Sequence, residues 1–139
     1  EIDPQADHRV IDIMLDQKKK LAEGNYGASM RLGSYVAKIK KDTIAHTAYG
    51  ALSVTERHRH RYEVNPEYIA QIEAKGLVFS GTSPDGTLME IAELPRGVGQ
   101  GKHPFFLGTQ FHPEFLARPL RPHPLFTEFI RASIKKSKK

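Results

Sequence analysis

The sequence predicts a chain of mixed strands and helices, α/β or α+β, on three observations. The turn signal "SPDG" at 83–86 separates two strand-like runs, "LVFSGT" and "TLMEIAEL", so 77–93 reads as a hairpin. "NPEYIAQIEAKGL" carries Asn65 as an N-cap and Pro66 at the first helical position, with Tyr68, Ile69 and Ile72 as an apolar stripe and Gly76 at the end. "PFFLGTQFH" (104–112) is nearly all apolar, as expected for a strand buried on both faces.

The remaining elements follow in chain order. Val10 to Leu15 is a short apolar run broken by Asp12, which admits a strand. "DQKKKLAEGNYGAS" (16–29) reads as a polar loop with Gly24 and Gly27. "MRLGSYVAKIK" (30–40) alternates as a half-buried strand does. Residues 42–50 suit a short helix, capped by Asp42 or Thr43 and ended by Gly50. "PRGVGQGKH" (95–103) is a Gly-rich loop, and "LARPLRPHP" (116–124) is a loop studded with prolines. "HPLFTEFIRASIKK" closes the chain as a helix, with Leu125, Phe126, Phe129 and Ile130 on one face and Pro124 near its start. No internal repeat is present.

A length of 139 residues suits one domain or a piece of one. Apolar residues make up 39% and charged residues 27%, enough for a modest packed core. The net charge is +5, and "KKK" at 18–20 with "KKSKK" at 135–139 holds seven of the 21 basic residues. Such runs are usually a solvated loop and a frayed tail, and the alternative partners are nucleotides or nucleic acid. No stretch reaches the ~18 apolar residues of a membrane span, and no secretory signal pattern opens the chain. The absence of cysteine excludes disulfides and thiolate metal sites within these residues. The expectation is a soluble cytoplasmic protein.

One stretch concentrates chemistry. In "TQFHPEF" (109–115), His112 and Glu114 stand two apart across Pro113. The pair could be incidental, half a metal site, or a general base with the carboxylate that fixes its tautomer. In "ERHRHRYEV", Arg57, Arg59 and Arg61 alternate with His58 and His60, so a strand would send the two sets to opposite faces. The arginines would meet carboxylates such as Glu56 and Glu63, or an anionic ligand. A metal on His58 and His60 is disfavoured by the flanking cations. "GVGQG" lacks the Gly-Lys-Ser/Thr ending of a phosphate loop and reads as a plain loop.

The motifs "MRLG", "ERHRHRYEVN", "FSGTSPDG", "HPFFLGTQFHPEF" and "RPHPLF" follow one another as they do in CTP synthases. The chain resembles the C-terminal part of that family's glutamine amidotransferase domain, from about residue 30 to about 131 and more loosely back to residue 1. "RHRHRYEVN" is specific to the family, whereas "QFHPEF" is shared by triad-type glutamine amidotransferases generally. Two departures are "GAS" at 27–29, where the family usually has "GGT", and a longer 95–103 loop.

The resemblance implies the second half of a flavodoxin-like three-layer α/β/α domain over 1–134, followed by a disordered basic tail at 135–139. A central strand is expected near 105–110 and a final helix at 124–134. It implies that His112 is the triad histidine, Glu114 the triad acid and Arg61 the holder of the glutamine carboxylate, with Glu1 as a further substrate contact. The family makes CTP from UTP, ATP and glutamine. A synthetase domain uses ATP and magnesium, GTP stimulates the glutamine half, and the enzyme is a homotetramer. Ammonia from a Cys-His-Glu triad passes through a tunnel to activated UTP.

The family's cysteine lies in a Gly-x-Cys-x-Gly turn that these residues do not contain. The expected partners are therefore glutamine, the nucleophile-bearing segment and the synthetase domain. No metal or cofactor of its own, no membrane and no nucleic acid are expected. The isolated 139 residues are expected to be inactive, and unstable or associated. The alternatives are another triad amidotransferase or hydrolase, and a basic nucleic-acid-binding module.

Overall fold

The computed structural model describes residues 3, 5–13, 30–97 and 103–138. Its elements are β1 (Ile11–Ile13), β2 (Arg31–Ile39), α1 (Ile44–Tyr49), β3 (Ser53–His60), β4 (Tyr62–Val64), α2 (Pro66–Glu73), β5 (Val78–Thr82), β6 (Met89–Glu93), β7 (Leu107–Thr109), a 3-10 turn (Pro113–Phe115) and α3 (Pro124–Ser137). Five strands form one sheet in the order β3-β2-β5-β6-β7, every pair antiparallel. β1 and β4 form a separate antiparallel ribbon.

The local signals act where the sequence places them. Thr43 accepts from the His46 N–H at 3.0 Å, and Gly50 ends α1 in the left-handed region at φ 65°. Asn65 accepts from the Glu67 N–H ahead of Pro66. A third cap is less usual. The His123 ring opens α3, its Nδ1 accepting from the Leu125 N–H at 3.3 Å.

Ile39, Ala45, Ile91, Phe111 and Leu125 form the buried cluster, with Ala48, Tyr49, Val54 and Leu107 packed on it. Gly81 is required there, because a Cβ at that position would lie 2.6 Å from Ile91 Cγ1. The fully buried Glu93 carboxylate pins α1 to β6, accepting the Ile44 and Ala45 N–H groups at 2.7 and 3.1 Å. These are otherwise unsatisfied donors of a helix start.

Three expectations are corrected. The apolar run 104–112 is not a central strand buried on both faces. β7 is three residues long, lies at the sheet edge and leaves Gly108 exposed. The run is apolar for other reasons: Phe105 packs on Phe129 at 5.7 Å, and Phe111 enters the core beyond the strand. The inward face of α3 is not the Leu125–Phe126–Phe129–Ile130 stripe. Leu125 and Glu128 are its buried residues, and Phe126, Phe129 and Ile130 are 42 to 54% exposed. Glu128 is buried because Arg96 and Arg131 both pair with it. α3 also runs to Ser137, three residues past the expected 134, which places Lys135 and Lys136 in its last turn. The 16–29 loop, "GVGQG" beyond Gly97, and Glu1 lie outside the described residues.

Candidate active site

His112 is held by its neighbours before its side chain does anything. After β7, the Gln110 N–H donates to Glu90 O at 2.9 Å, buried Phe111 anchors the chain in the core, and the His112 N–H donates to Arg57 O of β3 at 2.8 Å. Pro113 then turns the backbone into the 3-10 turn. The imidazole emerges where the sheet edge, β3 and this turn meet.

Within that frame His112 Nδ1 lies 2.7 Å from Glu114 Oε1. A carboxylate only accepts, so Nδ1 carries the proton and Nε2 keeps its lone pair. The ring stacks on Phe115, centroids 4.7 Å apart and planes 14° off parallel. Hydrogen bond and stack together fix the ring's orientation. The bond from His112 is the leading reason that the Glu114 carboxyl sits below the usual glutamate range. Both side chains remain accessible, at 36% and 56%. An ionised acid and an accessible Nε2 are what a general base needs.

His112 lines a cavity of about 370 Å³ together with Ile11, Met30, Arg59, His60, Arg61, Tyr62 and Gln110. The structure thus brings Arg61 and His112 to one cavity, although 51 positions separate them in sequence. Arg61 is the one residue between β3 and β4, and its buried Nε has no hydrogen-bond partner. A buried, unpaired guanidinium N–H is costly unless an acceptor reaches it. A ligand carboxylate would satisfy it. Arg59, Gln110 and His60 were not singled out from sequence as lining this cavity. The alternation of Arg57, Arg59 and Arg61 with the histidines was their only signal, because Gln110 carries none.

The expected alternation holds within β3 and fails at Arg61, which lies past the end of the strand and lines the same cavity as His60. Arg57 and Arg59 are exposed, whereas Glu56 and His58 are buried. The histidines join a buried polar layer. Arg31 Nη2 donates to Glu90 Oε1 at 2.6 Å, His58 Nδ1 and His60 Nε2 are 2.8 Å apart, and His60 Nδ1 is 3.2 Å from Tyr62 O. Burial, reinforced by the Arg31 charge, lowers His58 to about 3 and His60 to about 4. Both rings are therefore neutral near pH 7. A second buried set ties α3 to β3: Glu56 Oε1 accepts from His123 Nε2 and from the Tyr49 hydroxyl, both at 2.8 Å. Burial and the Glu56 carboxylate push the Tyr49 phenol upward. Among the described residues no group of three or more His, Cys, Asp or Glu side chains could hold a metal ion. No helix among them is long and apolar enough to cross a membrane.

Comparison with known proteins bears on this geometry. The glutamine amidotransferase class-I family matches residues 9–132. A CTP synthase of Halalkalibacterium halodurans is 52% identical over 136 residues, which is 98% of this chain and 24% of that protein. One of Archaeoglobus fulgidus is 55% identical over 135 residues, 97% of this chain and again 24% of the relative. The chain thus spans about a quarter of the length of the curated relatives it matches. Among solved structures, the glutaminase domain of Trypanosoma brucei CTPS with bound acivicin superposes with a TM-score of 0.81 at 33% identity, covering 97% of this chain and 49% of that one. The fold is therefore α/β, and it corresponds to about half of that glutaminase domain.

Proposed function

This chain belongs to the class I glutamine amidotransferases, and from that premise we propose that it supplies the His–Glu half of a glutamine-hydrolysing site in a CTP synthase. The observation that carries the reading is the 2.7 Å contact between His112 Nδ1 and Glu114, on a ring that shares its cavity with Arg61. The similarity to CTP synthases over nearly the whole chain supports the choice of product.

The chemistry follows from the groups present. These residues contain no cysteine, so the nucleophilic thiol comes from another segment of the polypeptide. His112 Nε2 takes the thiol proton as sulfur attacks the side-chain amide carbon of glutamine. The imidazolium is stabilised by Glu114 and returns the proton to the leaving nitrogen, so that ammonia departs and a thioester remains. Water activated by the same imidazole cleaves the thioester, yielding glutamate and the free thiol. Arg61 clamps the substrate's α-carboxylate through its planar fork, and Glu1 adds a second contact.

The ammonia is consumed by a synthetase domain that uses ATP and magnesium to activate UTP, with GTP as activator, in a cytoplasmic homo-oligomer. In the complete protein, glutamine labelled with ¹⁵N in the side-chain amide should yield labelled CTP from UTP and ATP. Glutamine hydrolysis without CTP formation would favour a different triad amidotransferase. The isolated 139 residues should release no ammonia from glutamine.

A further inference from the structure

We infer that His60 is a positioning residue for Arg61, holding the β3–β4 junction so that the guanidinium points into the cavity of His112. The inference rests on the proposed role of Arg61 as carboxylate clamp and adds the residue that sets its aim.

The backbone makes the need plain. Pairing of β3 with β2 ends at Arg31↔His60, and pairing of β4 with β1 begins at Tyr62↔Ile13. Arg61 stands between the two ladders and belongs to neither. The bond that closes the gap comes from a side chain. A carbonyl only accepts, so the 3.2 Å contact has His60 Nδ1–H donating to Tyr62 O, across Arg61. His60 Nε2 is then an acceptor, which requires His58 Nδ1–H as donor at 2.8 Å. His58 Nε2 is left bare, in agreement with its 3.7 Å separation from Glu90 Oε2 and its lack of a hydrogen-bond partner. One tautomer assignment satisfies every short contact of both rings.

The charges around the pair favour the neutral rings this assignment needs. Arg31 of β2 and His112 face them, and Glu90 of β6 is already engaged by Arg31 at 2.6 Å. Glu63 of β4 lies 3.4 Å from His60 Nδ1 as a second, weaker acceptor on the same side. Tyr35 and Phe111 pack edge-on against the His58 ring. An imidazolium at 60 would place a competing cation beside Arg61. A neutral one contributes only its directed N–H.

The consequence is specific: losing this donor should loosen glutamine binding more than it slows chemistry. Glutaminase kinetics of the complete protein should be measured for R61A, H60A, H60N and the H60A/R61A double variant. Asn at 60 can present an N–H near the position of Nδ1–H. We expect R61A to raise KM for glutamine strongly, and H60A to raise it by roughly tenfold with kcat within about twofold. H60N should recover most of the loss, and H60A should add nothing in the R61A background. If R61A leaves KM unchanged, the clamp role itself fails. If R61A raises KM but H60A does not, or if the two effects simply add, the clamp stands and the positioning role of His60 is overturned.

Discussion

The backbone N–H of His112 donates to the carbonyl of Arg57 at 2.8 Å, tying the third residue after β7 to the opposite edge strand of the same sheet. β3 and β7 are the two ends of the five-stranded order, so this bond spans the rim of a curled sheet. It places the imidazole next to the strand that leads to Arg61. The site is thus a property of sheet curvature as much as of the "HPE" sequence.

Glu114 should matter through His112. Replacing it by Gln keeps the size but loses the charge that stabilises an imidazolium. We expect E114Q in the complete protein to lower kcat for glutamine by about 10²–10⁴-fold with little change in KM, as measured by steady-state ammonia release. The hydrogen bond from His112 depresses the Glu114 carboxyl, so its ionised form persists to lower pH than an ordinary glutamate. The interaction is present above the usual glutamate range and is lost only as pH falls through the depressed value. An acid limb of activity should therefore not report Glu114.

Stability should respond to pH through His58 and His60. Their folded values, about 3 and about 4, lie below the unfolded value of 6.5. Between those limits the unfolded chain binds more protons, so acid favours unfolding there. The contribution is complete above about 6.5 and is lost as pH falls toward 4 and below. Denaturant midpoints of the complete protein at pH 7 and pH 5 should differ in that sense, and H60N should reduce the difference.

Gly81 offers a packing test in the core. A methyl group there would meet three carbons of Ile91 at 2.6 to 2.9 Å, inside the core. We expect G81A to cost about 1–3 kcal/mol, read from the denaturant midpoint at constant slope. Catalytic constants below the transition should be unchanged.

Much of the architecture was legible because local physics decides it. Thr43, Gly50, Asn65 and Pro66 act at helix ends through bonds and backbone angles that neighbours do not alter. The hairpin at 77–93 announced itself by a turn between alternating runs. The misreadings came where apolar residues serve partners distant in sequence. Phe105 belongs to α3 and Phe111 to the core, so their adjacency to Leu107 mimicked one long buried strand. Glu128 is buried through Arg96 and Arg131, which no helical periodicity reveals.

The candidate site divides the same way. The two-residue spacing of His112 and Glu114 lets the pair be read directly from the sequence. Their meeting with Arg61 in one cavity depends on sheet order, and the His58–His60–Tyr62 chain depends on burial. Neither is encoded in a short window.

The central claim is that His112 Nε2 deprotonates a thiol supplied by another segment. Steady-state glutamine hydrolysis by the complete protein carrying H112N, beside synthesis supported by added ammonium, tests it most directly. Hydrolysis should fall by about 10²–10⁴-fold while the ammonium-supported reaction continues. Glutamine hydrolysis by H112N at the unmodified rate would contradict it.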